Sequence, residues 1–183
     1  MNCNSVTLNS LDARCDTSAG GIKRILIALK DDVLDIHPSD ANDGVIDNIL
    51  MATGKYFSQW LFRKNTGNYT TTFSSDPAIG SQAFTTELNL QFTKVEQNKR
   101  LEIQSAINAS AVIIIEDMYG QFILLGKDND VTVTAVNQQS GTAISDLNGY
   151  TLTFQDISLE LPYFVEESKI NGLLAPPKPE PEA

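Results

Sequence analysis

One nine-residue stretch constrains this chain more than any other. Phe84, Thr86, Leu88, Leu90 and Phe92 alternate with Thr85, Glu87, Asn89 and Gln91. A period of two puts the first set on one face of a β-strand and the second on the other. The first face wants a dry partner and the second suits water. A chain built around such a strand must stack it against another layer, so a β-sheet architecture follows.

Other segments carry the same signature. Ile22–Leu29 reads as a strand with Ile25, Ile27 and Leu29 on one face. Ile22 and Leu26 give it apolar character on the other as well, so burial on both sides is expected. Val45–Met51 is a short apolar stretch that fits a strand or one helical turn. Tyr56–Arg63 and Tyr69–Ser75 are rich in aromatic and β-branched residues. Between them, Lys64–Asn68 holds Asn65, Gly67 and Asn68, which tolerate the positive φ of hairpin turns, so a hairpin is expected. Ala111–Glu116 and Gln121–Gly126 flank a turn at 117–120 and read as a second hairpin. Val131–Gln138 follows, with Val131, Val133, Ala135 and Asn137 expected on one face. Tyr150–Ile157 comes next, with Tyr150, Leu152 and Phe154 alternating against Thr151, Thr153 and Gln155.

Breakers and helix formers fill the gaps. Asp31–Gly44 is acidic and polar, with Pro38 and Gly44, and reads as a loop. Asp76–Gly80, with Pro77, is a break. Lys94–Asn108 has no Gly or Pro and places Ile103, Ala106, Ile107 and Ser110 at helical spacing, so one amphipathic helix is expected. Pro162 ends or interrupts the last strand region. The expected fold is mainly β (α+β): an antiparallel β-sandwich or half-open barrel with one flanking α-helix. Residues 1–21 are expected to form an extended arm, 22–174 the β-sandwich domain, and 175–183 a disordered Pro-rich tail.

The chemistry-bearing residues exclude more than they include. The net charge is -10 over 183 residues, which repels nucleic-acid backbone and anionic lipid. The longest purely apolar run, Ala111–Ile115, is too short to span a bilayer. No secretory signal is legible, so Cys3 and Cys15 are expected to be free thiols and Asn68 and Asn108 unglycosylated. His37 is the only histidine. With two Cys it falls short of a four-ligand zinc site, and as the one candidate partner for a Ser or Cys nucleophile it sits in a polar stretch before Pro38, where it reads as exposed and idle. The adjacent carboxylates at Asp31–Asp32, Glu116–Asp117 and Glu166–Glu167 read as solvated. Asp40–Gly44 misplaces the glycine of a calcium loop and has Met51 where the last ligand belongs. Gly54–Lys55 lacks the upstream glycine of a phosphate loop. Two small basic clusters, Arg14 with Lys23 and Arg24, and Lys94 with Lys99 and Arg100, read as solvated faces or salt-bridge partners. Catalytic, cofactor-binding and metal-binding residues are therefore all expected to be none, and the chain is expected not to be an enzyme.

Four segments in order carry a resemblance. They are Asp12–Arg24 with Asp31-Asp32-Val33, the alternating strand Phe84–Phe92 leading into the helix, Ala111–Gly120 with Leu124-Leu125-Gly126, and Ser145–Phe154. Together they resemble the tail-tube-like and ring structural proteins of phages that infect Bacteroidetes, including crAss-like phages, over most of residues 12–165. The resemblance implies a β-sandwich with a flanking helix whose strands join across subunits. The expected product is a homo-oligomeric ring, six- or twelve-fold, in the tail or neck of a virion assembled in the host bacterial cytoplasm. Adjacent tail, neck or portal rings would be its partners, and viral double-stranded DNA would pass through without specific binding; no membrane is implied. The polar face of Phe84–Phe92 would then meet the channel water, and the arm at 1–21 and the loop at 31–44 would reach a neighbouring ring. The alternative is a carbohydrate-binding β-sandwich module using Trp60, Tyr56, Tyr69 and Tyr119 as an aromatic platform.

Overall fold

The computed structural model describes residues 19–175. The arm at 1–18, with Cys3, Arg14 and Cys15, and the segment 176–183 lie outside the described residues. Among the described residues, eleven strands form two open sheets, accompanied by two α-helices. The strands are β1 (Ile22–Leu29), β2 (Val33–Pro38), β3 (Val45–Met51), β4 (Ser58–Leu61), β5 (Gly67–Asp76), β6 (Ser81–Thr93), β7 (Ala111–Asp117), β8 (Phe122–Leu125), β9 (Thr132–Gln139), β10 (Gly149–Ser158) and β11 (Tyr163–Val165). The helices are α1 (Gln97–Ile107) and α2 (Glu167–Leu173). The larger sheet has the order β2-β3-β11-β8-β7-β1-β4 and the smaller β5-β6-β10-β9. The fold is a β-sandwich with a flanking helix, and neither sheet closes into a barrel.

Two apolar cores explain the layering. The first lies between the sheets. It joins Ile25, Ile27, Ile113 and Ile115 of the large sheet to Leu88, Leu90, Leu152 and Phe154 of the small one, and α1 adds Ile103 and Ala106. The second lies on the opposite face of the large sheet. There Leu26, Val112, Ile114 and Leu124 meet Ile46, Phe57, Val165 and the α2 residues Ile170 and Leu173. The central strands are thus buried on both faces, as the sequence of Ile22–Leu29 predicts; Ile113, Ile114 and Ile115 are each 0% exposed. In β6, Thr86, Leu88 and Leu90 are buried while Glu87 is exposed, which matches the period-two reading.

Several local expectations are overturned. The stretch at 31–44 is not one loop. A single 3-10 turn at Lys30–Asp32 leads into β2, which pairs antiparallel with β3. The polarity of Leu34-Asp35-Ile36-His37 is that of an edge strand with one wet face, and Pro38 sits at its end, where a missing donor is tolerated. Only residues 39–44 connect β2 to β3.

The hairpin expected around Lys64–Asn68 does not form. β4 pairs with β1 in the large sheet, and β5 pairs with β6 in the small one. The turn is a corner at which the chain changes sheets. Asn65 takes φ 65° there. A β-carbon on Gly67 would stand 2.7 Å from the Ile22 side chain, so the close approach of the two layers requires glycine.

The helix expected over 94–108 begins only at Gln97, because Lys94 holds a left-handed φ of 70°. Ile107, expected on its buried face, is exposed. Helix α2 is an addition to the expected single helix. Neighbouring strands are antiparallel except β11 and β3, which run parallel.

Candidate assembly interface

The four-stranded sheet presents an outward face that can be read row by row from its register. Asn68, Asn89, Thr153 and Ala135 form one row; Thr70, Glu87, Gln155 and Thr132 form the next. Gln91, Thr151 and Asn137 lie to one side of these, and Thr72, Thr85 and the exposed Ile157 to the other. The face is held by its own polar contacts: the Thr153 hydroxyl donates to Asn89 Oδ1 at 2.8 Å, and the Thr134 hydroxyl to the Thr153 carbonyl at 3.3 Å. Glu87 is the sole charged side chain in these rows, and they contain no cation. A phosphate backbone passing this face would find hydroxyls and amides but no ammonium or guanidinium to hold it.

The expected facing of β9 holds only in part. A bulge between Thr153 and Phe154 in the β9–β10 register leaves Thr134 unpaired, with Val133 opposite Phe154 and Val136 opposite Leu152. An extra residue in one strand reverses which side chains face inward beyond it. Val133 and Val136 therefore share the inner face, and Ala135 turns outward.

The edges of this sheet are its most informative feature. Among the described residues, β5 and β9 each pair on one side only. β5 has ten residues and β9 eight. Natural proteins blunt exposed edges with short strands, lysine, proline or covering elements. The large sheet follows that rule. β4 has four residues, and β2 carries Asp35, His37 and Pro38. The small sheet does not: β5 carries one charge, Asp76 at its end, and β9 carries none, and neither contains proline or lysine. Since all neighbours in the sheet are antiparallel and the strand number is even, β5 and β9 run in opposite directions.

The remaining sequence candidates fall elsewhere. His37 is exposed on β2 and lies 3.2 Å from Asp35. Asp40–Gly44 is the β2–β3 turn, and Lys55 pairs with Asp32 at 3.0 Å. Among the described residues no three His, Cys, Asp or Glu side chains converge to hold a metal ion, and no helix is long and apolar enough to cross a membrane. Lys23 and Arg24 are not simply solvated, since both bind Glu116, which is 4% exposed. Burial pushes the Glu116 carboxyl up, but the two cations outweigh it and hold the carboxyl below its usual range. Lys94 and Lys99 bind Glu96 and likewise lower it.

The four aromatic residues do not form one platform. Trp60 and Tyr69 pack against the first core, Trp60 edge-on to Phe92 at 5.6 Å. Tyr119 stands in the β7–β8 turn, and Tyr56 is exposed ahead of β4.

Sequence reasoning missed the burial of two acidic residues, Glu116, which reads as solvated in sequence, and Asp156. Asp156 continues the inward row of Tyr150, Leu152 and Phe154 and is 4% exposed. Burial pushes its carboxyl up, against the opposing pull of the Gly126 N–H, and Oδ1 has no partner. Its place in the alternation of β10 was the available signal.

Neither a protein-family model nor a curated protein matches this chain.

Proposed function

We propose that this chain is a ring-forming virion structural protein of a phage tail or neck, with its four-stranded sheet facing the channel. The observation that carries the reading is the pair of long, unblunted edges on β5 and β9. A rotation axis roughly parallel to these strands brings β9 of one copy beside β5 of the next. Because the two strands run in opposite directions, the new pair is antiparallel, and the sheet continues through the contact. Repetition closes the sheet, and every edge is satisfied without open-ended growth. Six copies giving four strands each make a barrel of about 24 strands, beyond the 16–18 at which porins enclose an aqueous channel. The polar rows with Glu87 then line the lumen, where their lack of cations lets DNA slide.

Electron microscopy and sedimentation of the purified chain test this. The expected result is annular particles, or a monomer that converts to them on concentration. Val136→Lys puts a charge at the inner side of the β9 edge and is expected to leave a folded monomer that makes no rings. A chain that stays monomeric at every concentration, or a Val136→Lys chain that still forms rings, defeats the proposal. Specific binding on a glycan array by such a monomer favours the carbohydrate module.

A further inference from the structure

A groove runs between the outer edge of β4 and α1. It comprises adjoining depressions of about 200 and 250 Å³ that share Trp60 and Glu102. A third depression, of about 200 Å³, extends it past Leu61 and Phe92 to Arg63, with Lys99 on the helix side. Tyr56 lines its other end. Leu61 is 66% exposed.

The described chain ends beside the start of β4. After α2, Leu174 is extended, with φ -84° and ψ 144°. It forms a parallel bridge with Phe57, and the Phe57 N–H donates to the Leu173 carbonyl at 2.9 Å. β1 occupies the other side of β4. Ala175 therefore leaves the described structure beside the open edge of β4, heading in the direction of that strand.

The geometry points to residues 176–183 of the same chain as the occupant of this groove. Their sequence is Pro-Pro-Lys-Pro-Glu-Pro-Glu-Ala. A Pro-rich segment is pre-set to an extended form of about 3.1 Å per residue, close to the strand rise of about 3.3 Å. The register of the Phe57–Leu174 bridge can thus be carried forward residue for residue. Pro177 then falls beside Trp60 and Glu180 beside Arg63. Proline against an aromatic groove is a recurrent docking mode, and Glu180 opposite Arg63 is complementary in charge, with Lys99 across the groove. A segment with four prolines also cannot pass a full ladder of hydrogen bonds outward. It would end the large sheet at β4 and leave pairing between copies to other edges.

Trp60 is the sole tryptophan, so fluorescence reports on the groove directly. The test compares the 183-residue chain with one ending at Ala175. Removal of 176–183 is expected to red-shift Trp60 emission and raise its acrylamide quenching severalfold, with the same values at all protein concentrations. Glu180→Lys is expected to reproduce part of the change, and Arg63→Glu combined with Glu180→Lys to reverse it. Equal emission and quenching in the long and short chains overturns the proposal. Protection that disappears on dilution, together with a loss of mass, also overturns it and assigns the groove to a segment of another copy. The inference does not depend on ring formation.

Discussion

Gly149 and Phe92 approach so closely that a β-carbon on Gly149 would stand 2.0 Å from the Phe92 carbonyl oxygen. The contact is between paired strands, with Gly149 opposite Thr93 in the register. No rotamer change can relieve it, because the obstacle is backbone. Gly149→Ala is therefore expected to cost at least the upper end of the roughly 1–3 kcal/mol typical of overpacking. Chemical denaturation would show the loss as a lower midpoint, and an unchanged midpoint would mean that β6 and β10 separate easily at this end.

Glu116 anchors the start of β1 through Lys23 and Arg24. Its carboxyl is held low, so its contribution is present above the unfolded-state pKa and is lost as pH falls through the folded one. Glu116→Gln is expected to destabilise the chain by about 1–3 kcal/mol at pH 7, since Arg24 loses its counter-charge in a partly buried place. The difference from the parent should shrink as the buffer is taken from pH 7 toward pH 3. A difference that stays constant over that range would refute the ion-pair account.

Asp156 has the opposite sign. Its carboxyl is raised by burial, so stability is greatest below the unfolded-state pKa and falls as pH rises toward the folded value. Asp156→Asn, which mimics the protonated form, is expected to gain about 1 kcal/mol at neutral pH, the scale of an unsatisfied buried group. The gain should vanish in acid. Unfolding curves for both chains at several pH values decide the matter.

Ile144 and Ile79 stand at opposite ends of the small sheet, both strongly exposed. The loop bearing Ile144 is fixed by Asp146, whose carboxylate accepts N–H bonds from Thr142 at 2.8 Å and Ala143 at 2.7 Å. If copies form rings as proposed, these ends face each other between stacked rings. Ile144→Asp is expected to leave single rings intact and to shorten stacks severalfold in electron micrographs. Stacks of unaltered length would remove this loop from the contact.

What the sequence disclosed depended on whether the deciding contact was local. β1 has the expected bounds, and the β7–β8 hairpin has them to within about one residue, because their apolar runs and flanking turns lie in adjacent residues. The facing of β6 followed from strict alternation. β2 was hidden because Asp35 and His37 on an edge strand look like loop residues, and only the pairing with β3 makes them a strand. The corner at Asn65 reads as a hairpin in sequence because the same residue types serve both; the choice is made by contacts with Ile22, distant in the chain, and Phe62, which close on Gly67. The bulge at Thr134 has no local signature, so the facing of β9 was legible only as far as Val133. The polar face of the candidate interface was visible on β6 and β10. Its open edges were not, because an edge is defined by the strands that are missing beside it.

Under the proposed assembly, stability and adhesion are assigned to different sheets. The central strands of the seven-stranded sheet are packed on both faces, while among the described residues the four-stranded sheet keeps two borders unpaired. If copies join as proposed, such a subunit would complete its own folding before it meets another. Supply, rather than slow maturation, would then set the pace at which a larger object grows, and a copy still waiting for neighbours would already have its working shape.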